Sequence, residues 1–259
     1  MPVSMDALCT DLAAETAALR ELLAPLDEQQ WRLATPAPGW TIGDQVSHLA
    51  FFDDAAVQSA LDPEAFRALA EREGAADGVA ERFRDRSGAE LLAWFDSTRA
   101  RLIETFAALD PALRVPWFGP PMSAASSLTA RIMETWAHGQ DVADALGATR
   151  EPTDRLRHVA HIGIGARPFS FMIHGREAPA EPIRVELTGP GGDIWAWGPA
   201  EADDRVTGPA LDFCLVVTQR RHLGDTALQV TGAHAEAWMQ IAQAFAGPPG
   251  TGRRQGEFA

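Results

Sequence analysis

The sequence predicts a mainly helical protein with a small α+β domain at its C-terminal end. Apolar residues recur at the spacing of an α-helix through most of residues 1–175, which predicts a helical domain there. Alternation of apolar and polar residues appears only after residue 180, and it predicts the strands of a second domain over residues 180–247. Residues 248–259 are rich in glycine, proline and arginine, and we expect them to form a flexible tail.

The first helix of the chain is predicted over residues 4–24. Leucines recur there at helical spacing, and Pro25 ends the pattern. Two prolines and a glycine in residues 31–40 then predict a loop without regular structure. The tryptophans at its two ends, Trp31 and Trp40, are interpreted as anchors that pack the loop onto the core, and contact with a ligand is the alternative.

Capping signals predict where the later helices of this domain begin. In each of two capping boxes, a hydroxyl and an acidic side chain three residues later satisfy backbone groups at a helix start. We expect these helices over residues 42–61 and 87–109, with a short helix and a solvated connection over residues 63–86 between them. An apolar loop over residues 115–123 precedes a long helix over residues 123–146. The two boxes pair Thr41 with Asp44 and Ser87 with Glu90.

The second domain is predicted to combine strands and helices. A helix over residues 153–171, begun by Thr153, leads into it. Residues 190–193 have the composition of a hairpin turn between two alternating segments. The predicted strands cover residues 183–187, 194–197 and 227–231, and the predicted helices cover residues 210–221 and 233–245.

Charge and composition exclude several classes of function. The 259 residues carry a formal net charge of −14 without a basic patch, which argues against nucleic acid or an anionic membrane as a partner. The absence of lysine, asparagine and tyrosine indicates a high-GC genome, as in a high-GC bacterium. Cys9 and Cys214 lie far apart in apolar segments and are expected to be buried thiols. No signal peptide or membrane-spanning apolar run is visible, so we expect a soluble cytoplasmic protein.

The segment from Arg131 to Asp141 carries the strongest chemical signal. Glu134 and His138 are four residues apart on a predicted helix, so their side chains project from one face. Such a pair is half of a metal site or of an acid–base pair, although it also occurs as a plain surface pair. Arg131 and Asp141 are the candidate catalytic residues. Arg131 could bind an anionic substrate group or lie on the surface, and Asp141 could orient His138, act as a further ligand or be solvated.

His48 is the one credible third member of this site. It lies beside the apolar stripe of the predicted helix over residues 42–61, where an uncompensated polar group would be costly. A core histidine bonded to a backbone carbonyl is the alternative interpretation. Together, His48, Glu134 and His138 supply two nitrogens and one oxygen, a set that suits a divalent ion with an open position.

The residues around these candidate ligands resemble a known family. Residues 36–48 and 134–141 are similar to the metal-binding domain of mycothiol-dependent maleylpyruvate isomerases, a branch of the DinB-like four-helix bundles. The resemblance implies an up-down four-helix bundle followed by a sterol-carrier-like α+β domain. In that family a histidine on the second helix and a Glu-x3-His pair on a later helix bind zinc. By motif, these residues correspond to His48, Glu134 and His138.

The resemblance also implies a mechanism and a cofactor. The metal, zinc or alternatively nickel, would bind the thiol of mycothiol as a cosubstrate and lower its pKa. The thiolate would then add to a small electrophilic substrate, giving isomerisation or thiol transfer. Residues 63–86 and 111–122 do not resemble the isomerases, so the substrate is left open.

Two other functions are compatible with the sequence. The helical domain could be a metal-binding sensor or small-molecule-binding module without catalysis. The α+β domain could instead carry an apolar ligand on Trp195 and Trp197, which share one face of a strand, although core packing explains this pair more simply. The predicted partners are a small-molecule substrate or a thiol, and a homodimer is left open.

Overall fold

A computed structural model describes residues 4–73 and 78–258. The chain divides into two compact units, Met1–Arg150 and Glu151–Ala259. Residues 151–175, which the sequence predicts as the last part of the helical domain, therefore belong to the second unit. Over the described ranges, no helix combines the length and the apolar character that crossing a membrane requires.

Four long helices form the core of the first unit. Its elements are α1 (Met5–Leu23), α2 (Glu28–Trp31), α3 (Ile42–Leu61), α4 (Pro63–Glu73), a 3-10 helix (Ala80–Phe83), α5 (Gly88–Ala107), β1 (Arg114–Val115), β2 (Met122–Ser123) and α6 (Ala124–Leu146). Helices α1 and α3 each pack against both α5 and α6, and α4 packs against α3. Antiparallel pairing of β1 with β2 closes the loop that precedes α6. The long helices bury leucine, isoleucine, valine and phenylalanine side chains between them.

The predicted helix starts of this unit are confirmed. Both capping boxes are present, Thr41 with Asp44 and Ser87 with Glu90. The predicted loop over residues 31–40 is wrong at its first residue, because a further capping box at Asp27 begins α2 and this helix ends at Trp31. Trp31 is buried, as expected for an anchor. The predicted solvated connection includes residues 74–77, which lie outside the described residues.

A buried ion pair joins three helices of the bundle. Arg99 on α5 donates to Asp53 on α3, with 2.7 Å between Nε and Oδ2, and it also donates to the hydroxyl of Thr16 on α1. The side chains of Arg99 and Asp53 are exposed by only 3% and 0%. Because neither charge reaches water, each depends on the other for its stabilisation.

Replacing Asp53 with alanine is expected to destabilise the protein by about 3–5 kcal/mol, because the Arg99 charge then stays buried without its partner. The matched control is Asp96→Ala, which removes a carboxylate from a partly exposed pair with Arg20 that has the same N···O distance of 2.7 Å. The control should lose at most about 1 kcal/mol. Urea unfolding measures both free energies, and equal losses would contradict a special role for burial.

The second unit combines a four-stranded sheet with helices. Its elements are α7 (Leu156–Gly165), α8 (Arg167–Ile173), β3 (Ile183–Thr188), β4 (Ile194–Trp197), β5 (Asp204–Pro209), α9 (Ala210–Val217), a 3-10 helix (Leu223–Asp225), β6 (Gln229–Thr231) and α10 (Ala233–Met239). The strand order is β4-β3-β5-β6, with β3 and β5 parallel and the other pairs antiparallel. Helix α9 packs against β3 and β5, and α7 packs against α9. Trp195 is buried, as core packing predicts.

Four predictions for this unit need correction, and one of its strands is not predicted at all. The single helix predicted over residues 153–171 is wrong, because the chain forms α7 and α8, and Pro168 lies in the first turn of the second of these. The cap predicted at Thr153 is also absent, since α7 begins at Leu156. Helix α9 ends before its predicted terminus, because Gln219 adopts a positive φ of 61°. Strand β5 is not predicted by the sequence. Helix α10 ends at Met239, before its predicted end at residue 245.

Residues 248–258 form no helix or strand. They nevertheless contact the rest of the second unit. The backbone N–H of Gly256 donates to the carboxylate of Asp225, and the Arg221 guanidinium lies 4.3 Å from the centroid of the Phe258 ring. The described part of the segment predicted as a tail is therefore attached at more than one point.

Candidate metal centre

Three side chains from two packed helices meet inside the bundle. His48 lies on α3, and Glu134 and His138 lie one turn apart on α6, which packs against α3. Atom Oε2 of Glu134 lies 3.1 Å from Nε2 of His138 and 3.5 Å from Nε2 of His48. The exposed fractions of these side chains lie between 11% and 20%. The three residues that the sequence predicts as metal ligands are therefore neighbours.

The spacing of these atoms fits a divalent ion. The candidate ligand atoms all lie within 4.8 Å of one another. Atoms bound to one tetrahedral zinc ion at about 2.0–2.2 Å lie roughly 3.3–3.6 Å apart, close to the two separations from Glu134. In the part of the chain that the structure describes, this is the one such group of three.

The protonation states of His48 and Glu134 also suit metal binding. Burial, and then the neighbouring His138, lower the pKa of His48 to about 4, so its imidazole is neutral at physiological pH. Burial by itself would raise the pKa of Glu134. Its contacts with both imidazoles and the positive charge of Arg131 nevertheless hold that pKa well below its usual range. Neutral imidazoles and an ionised carboxylate are the forms that coordinate metals.

Sequence reasoning misses one neighbour of this group, Gln45. Its side chain is fully buried, and its amide oxygen forms a hydrogen bond with Nδ1 of His138. Gln45 precedes His48 by three residues, so both side chains lie on one face of α3. That spacing is the signal that could have revealed it.

Asp141 lies outside the group of converging ligand atoms. It is fully buried, which excludes the solvated alternative. The two ring nitrogens of His138 face Gln45 and Glu134, so Gln45 occupies the orienting position considered for Asp141. A catalytic role for Asp141 stays a prediction.

Arg131 is buried near the candidate ligands and does not lie on the surface. Its exposed fraction is 5%, and its Nη1 atom has no hydrogen-bond partner among the described residues. The guanidinium carbon lies 5.8 Å from the centroid of the Phe52 ring and 5.6 Å from that of Trp117. Burial lowers the pKa of Arg131, although Glu134 opposes this shift and an arginine stays charged in proteins. A buried cation with an unsatisfied donor suits an anionic ligand.

Aromatic rings surround the two imidazoles. The Trp40 ring is nearly parallel to that of His138, at an angle of 13° with 5.8 Å between centroids, and it lies 5.2 Å from His48. The Phe52 ring, on α3 like His48, has its centroid 4.6 Å from that of the His48 ring. Trp40 thus packs against the side chains of His48 and His138, and contact of its ring with a bound ligand stays a prediction.

Comparison with protein families identifies the chain. Residues 12–143 match the family model described as the mycothiol maleylpyruvate isomerase N-terminal domain, and this range contains all three candidate ligands. The chain belongs to this family. Within the second unit, residues 179–231 match a separate model described as Wyosine base formation.

Two relatives match nearly the whole chain in sequence, and two solved structures match it in fold. Two Mycobacterium tuberculosis proteins, both described as uncharacterized, are each 49% identical over 248 residues, which cover 94% of this chain and 96% of theirs. A crystal structure of the mycothiol-dependent maleylpyruvate isomerase has a TM-score of 0.56 and 15% identity, over 88% of this chain and 93% of that chain. A histidine-to-alanine mutant of that enzyme also has a TM-score of 0.56, with 17% identity over 84% and 90% of the two chains. These likenesses confirm the predicted DinB-like fold.

The two cysteines of this family member are poor candidates for a nucleophile. Cys9 and Cys214 are both buried and unpaired with each other, as the sequence predicts. Burial raises the pKa of both thiols. Because a raised pKa keeps a thiol protonated, neither cysteine side chain is activated as a thiolate nucleophile.

Proposed function

We propose that this protein is a divalent-metal- and mycothiol-dependent enzyme, an isomerase or thiol transferase that acts on a small electrophilic substrate in the cytoplasm. The observation that carries the proposal is the convergence of His48, Glu134 and His138 near the buried cation of Arg131. Family membership supports mycothiol as the thiol. The two nitrogens and one oxygen suit zinc, with nickel as the alternative, and leave a coordination position open.

The three ligands and the bound ion would have separate tasks. A bound ion would lower the pKa of a coordinated thiol, so that the thiolate forms at neutral pH. His48 and His138 would hold the ion as neutral donors, and Glu134 would supply a negative charge that partly balances it. The buried thiols of the chain would not compete for this position.

Arg131 would bind an anionic group of the substrate. Its Nη1 donor lacks a partner within residues 4–73 and 78–258, and a carboxylate would satisfy it with a charge-assisted hydrogen bond. Phe52 and Trp117 lie beside the guanidinium and limit its contact with water. In this arrangement the residue both selects an anionic substrate and orients it near the ligands.

The aromatic rings around the centre would exclude water from the reacting groups. Trp40 and Phe52 both lie against the imidazole of His48. Fewer water molecules around a thiolate strengthen its interactions with the fixed charges of the site. The rings would therefore favour addition of the thiolate to the substrate over its reprotonation.

A turnover assay tests this proposal. Zinc-loaded protein is incubated with mycothiol and a panel of small electrophiles, half of them bearing a carboxylate. Thiol consumption reports transfer, and a spectral change without thiol loss reports isomerisation. We expect turnover of at least one carboxylate-bearing electrophile, which stops when a chelator removes the metal and returns when zinc is added. Zinc binding without turnover across the panel would favour a non-catalytic sensor or binding module.

A further inference from the structure

A chain of hydrogen bonds connects the candidate ligand His138 to the loop before α3. Nδ1 of His138 and the amide oxygen of Gln45 form the first bond. The amide nitrogen of Gln45 donates to the hydroxyl of Thr35, with 2.8 Å between the atoms. That hydroxyl donates in turn to the backbone carbonyl of Trp40 at 3.0 Å.

The direction of each hydrogen bond follows from the group at the end of the chain, the backbone carbonyl of Trp40. The carbonyl of Trp40 can only accept, so the Thr35 hydroxyl gives its proton there and must accept from Gln45. Gln45 therefore turns its NH₂ group to Thr35 and its oxygen to His138. An amide oxygen cannot donate, so Nδ1 of His138 carries a proton, and in the neutral ring Nε2 keeps its lone pair.

This lone pair faces a second acceptor. Nε2 of His138 lies 3.1 Å from the Oε2 atom of Glu134. In this neutral form two acceptors face each other at that distance, an arrangement that is stabilised when a proton or a metal ion lies between them. The hydrogen-bond chain thus leaves His138 in the one neutral form whose Nε2 can bind a metal together with Glu134.

We propose that Gln45, held in orientation by Thr35, is the positioning residue that fixes His138 as an Nε2 metal ligand. This inference rests on the metal centre proposed above. Because the ring of Trp40 stacks on His138 and its carbonyl ends the chain of bonds, the same contacts also hold that ring over the ligands. A hydrogen bond to the second nitrogen of a ligating histidine orients the ring and raises its basicity.

Zinc affinity of the full-length protein tests the proposal, measured by competition with a chromophoric chelator. Gln45→Leu removes the acceptor and should raise the zinc dissociation constant about 10–100-fold. Gln45→Glu keeps an acceptor oxygen at the same place and should restore most of the affinity. Thr35→Val should weaken binding in the same direction but less. Gln58→Leu, on the same helix and outside the centre, is the matched control and should not change affinity.

Long-range proton–nitrogen NMR of the zinc-loaded protein shows which nitrogen of His138 carries the proton, and a loss of packing alone would not change this. We expect His138 to carry its proton on Nδ1 and to bind zinc through Nε2. Zinc bound through Nδ1, or equal affinity of the folded Gln45→Leu protein, would overturn the inference while the metal centre stands. If the wild-type protein binds no zinc, the centre itself is wrong and the inference falls with it. If Gln45→Leu does not fold, the zinc affinity of Thr35→Val and the spectrum of the wild-type protein still test the inference.

Discussion

Replacing His138 with alanine is expected to abolish stoichiometric zinc binding. The substitution deletes one of three ligands and opens the space between Gln45 and Glu134 to water. Loss of a hydrogen bond that supports a ligand typically raises the dissociation constant about 10–100-fold. Loss of the ligand itself should raise the zinc dissociation constant more than that. Metal content after gel filtration and chelator competition measure the effect, and turnover should fall in proportion to the bound metal.

The control for this experiment is a histidine outside the centre. His161 is exposed and lies in the second unit, so His161→Ala should keep the zinc content and affinity of the wild type. His48→Ala should behave like His138→Ala, because its Nε2 atom is 3.5 Å from the same carboxylate oxygen. The proposed centre is wrong if both variants at His48 and His138 retain one equivalent of zinc.

Replacing Arg131 with methionine is expected to weaken the use of anionic substrates without removing the metal. Methionine is unbranched and keeps an apolar chain in the space of the arginine stem, but it is shorter and has no donor and no charge. A hydrogen bond to a charged group contributes about 1.5–3 kcal/mol, which corresponds to a roughly 10–150-fold fall in kcat/KM. Steady-state kinetics with a carboxylate-bearing electrophile measure the change, and metal analysis should show unchanged zinc.

Two controls separate anion binding from a general disturbance of the site. Arg101→Met removes an exposed arginine from α5 and should leave kcat/KM unchanged. The methyl ester of the same electrophile lacks the negative charge, so Arg131→Met should affect its turnover little. Equal losses for the acid and the ester would show that Arg131 does not act by binding an anion.

Local signals along the chain predict most helices of the first unit correctly. A capping box acts between residues three apart, so Thr41 with Asp44 marks the start of α3 without knowledge of the fold. Strand β5 lacks such a signal. The strand forms by parallel pairing with β3 and antiparallel pairing with β6, and neither is visible before the strands are placed side by side.

The candidate site likewise has one part that local signals predict and one part that depends on packing. The spacing of Glu134 and His138 predicts that they share one helix face, because residues four apart on a helix are always neighbours. Their meeting with His48 depends on the packing of α3 against α6, which the resemblance to a family implied and which the spacing could not show. Metal binding by the three remains a proposal.

Helical spacing and capping signals predict the helical bundle, and spacing also shows that Arg131 lies one turn before Glu134. The set of three candidate ligands follows from these signals together with the resemblance to the family. Packing in three dimensions is what brings Gln45 to a histidine 93 residues away and buries Arg131, whose Nη1 atom has no partner in the described part of the chain. The reason is physical. Propensity, capping and helix spacing act between residues close in sequence. Burial, orientation of an imidazole and desolvation of a charge arise only when distant segments pack together and exclude water.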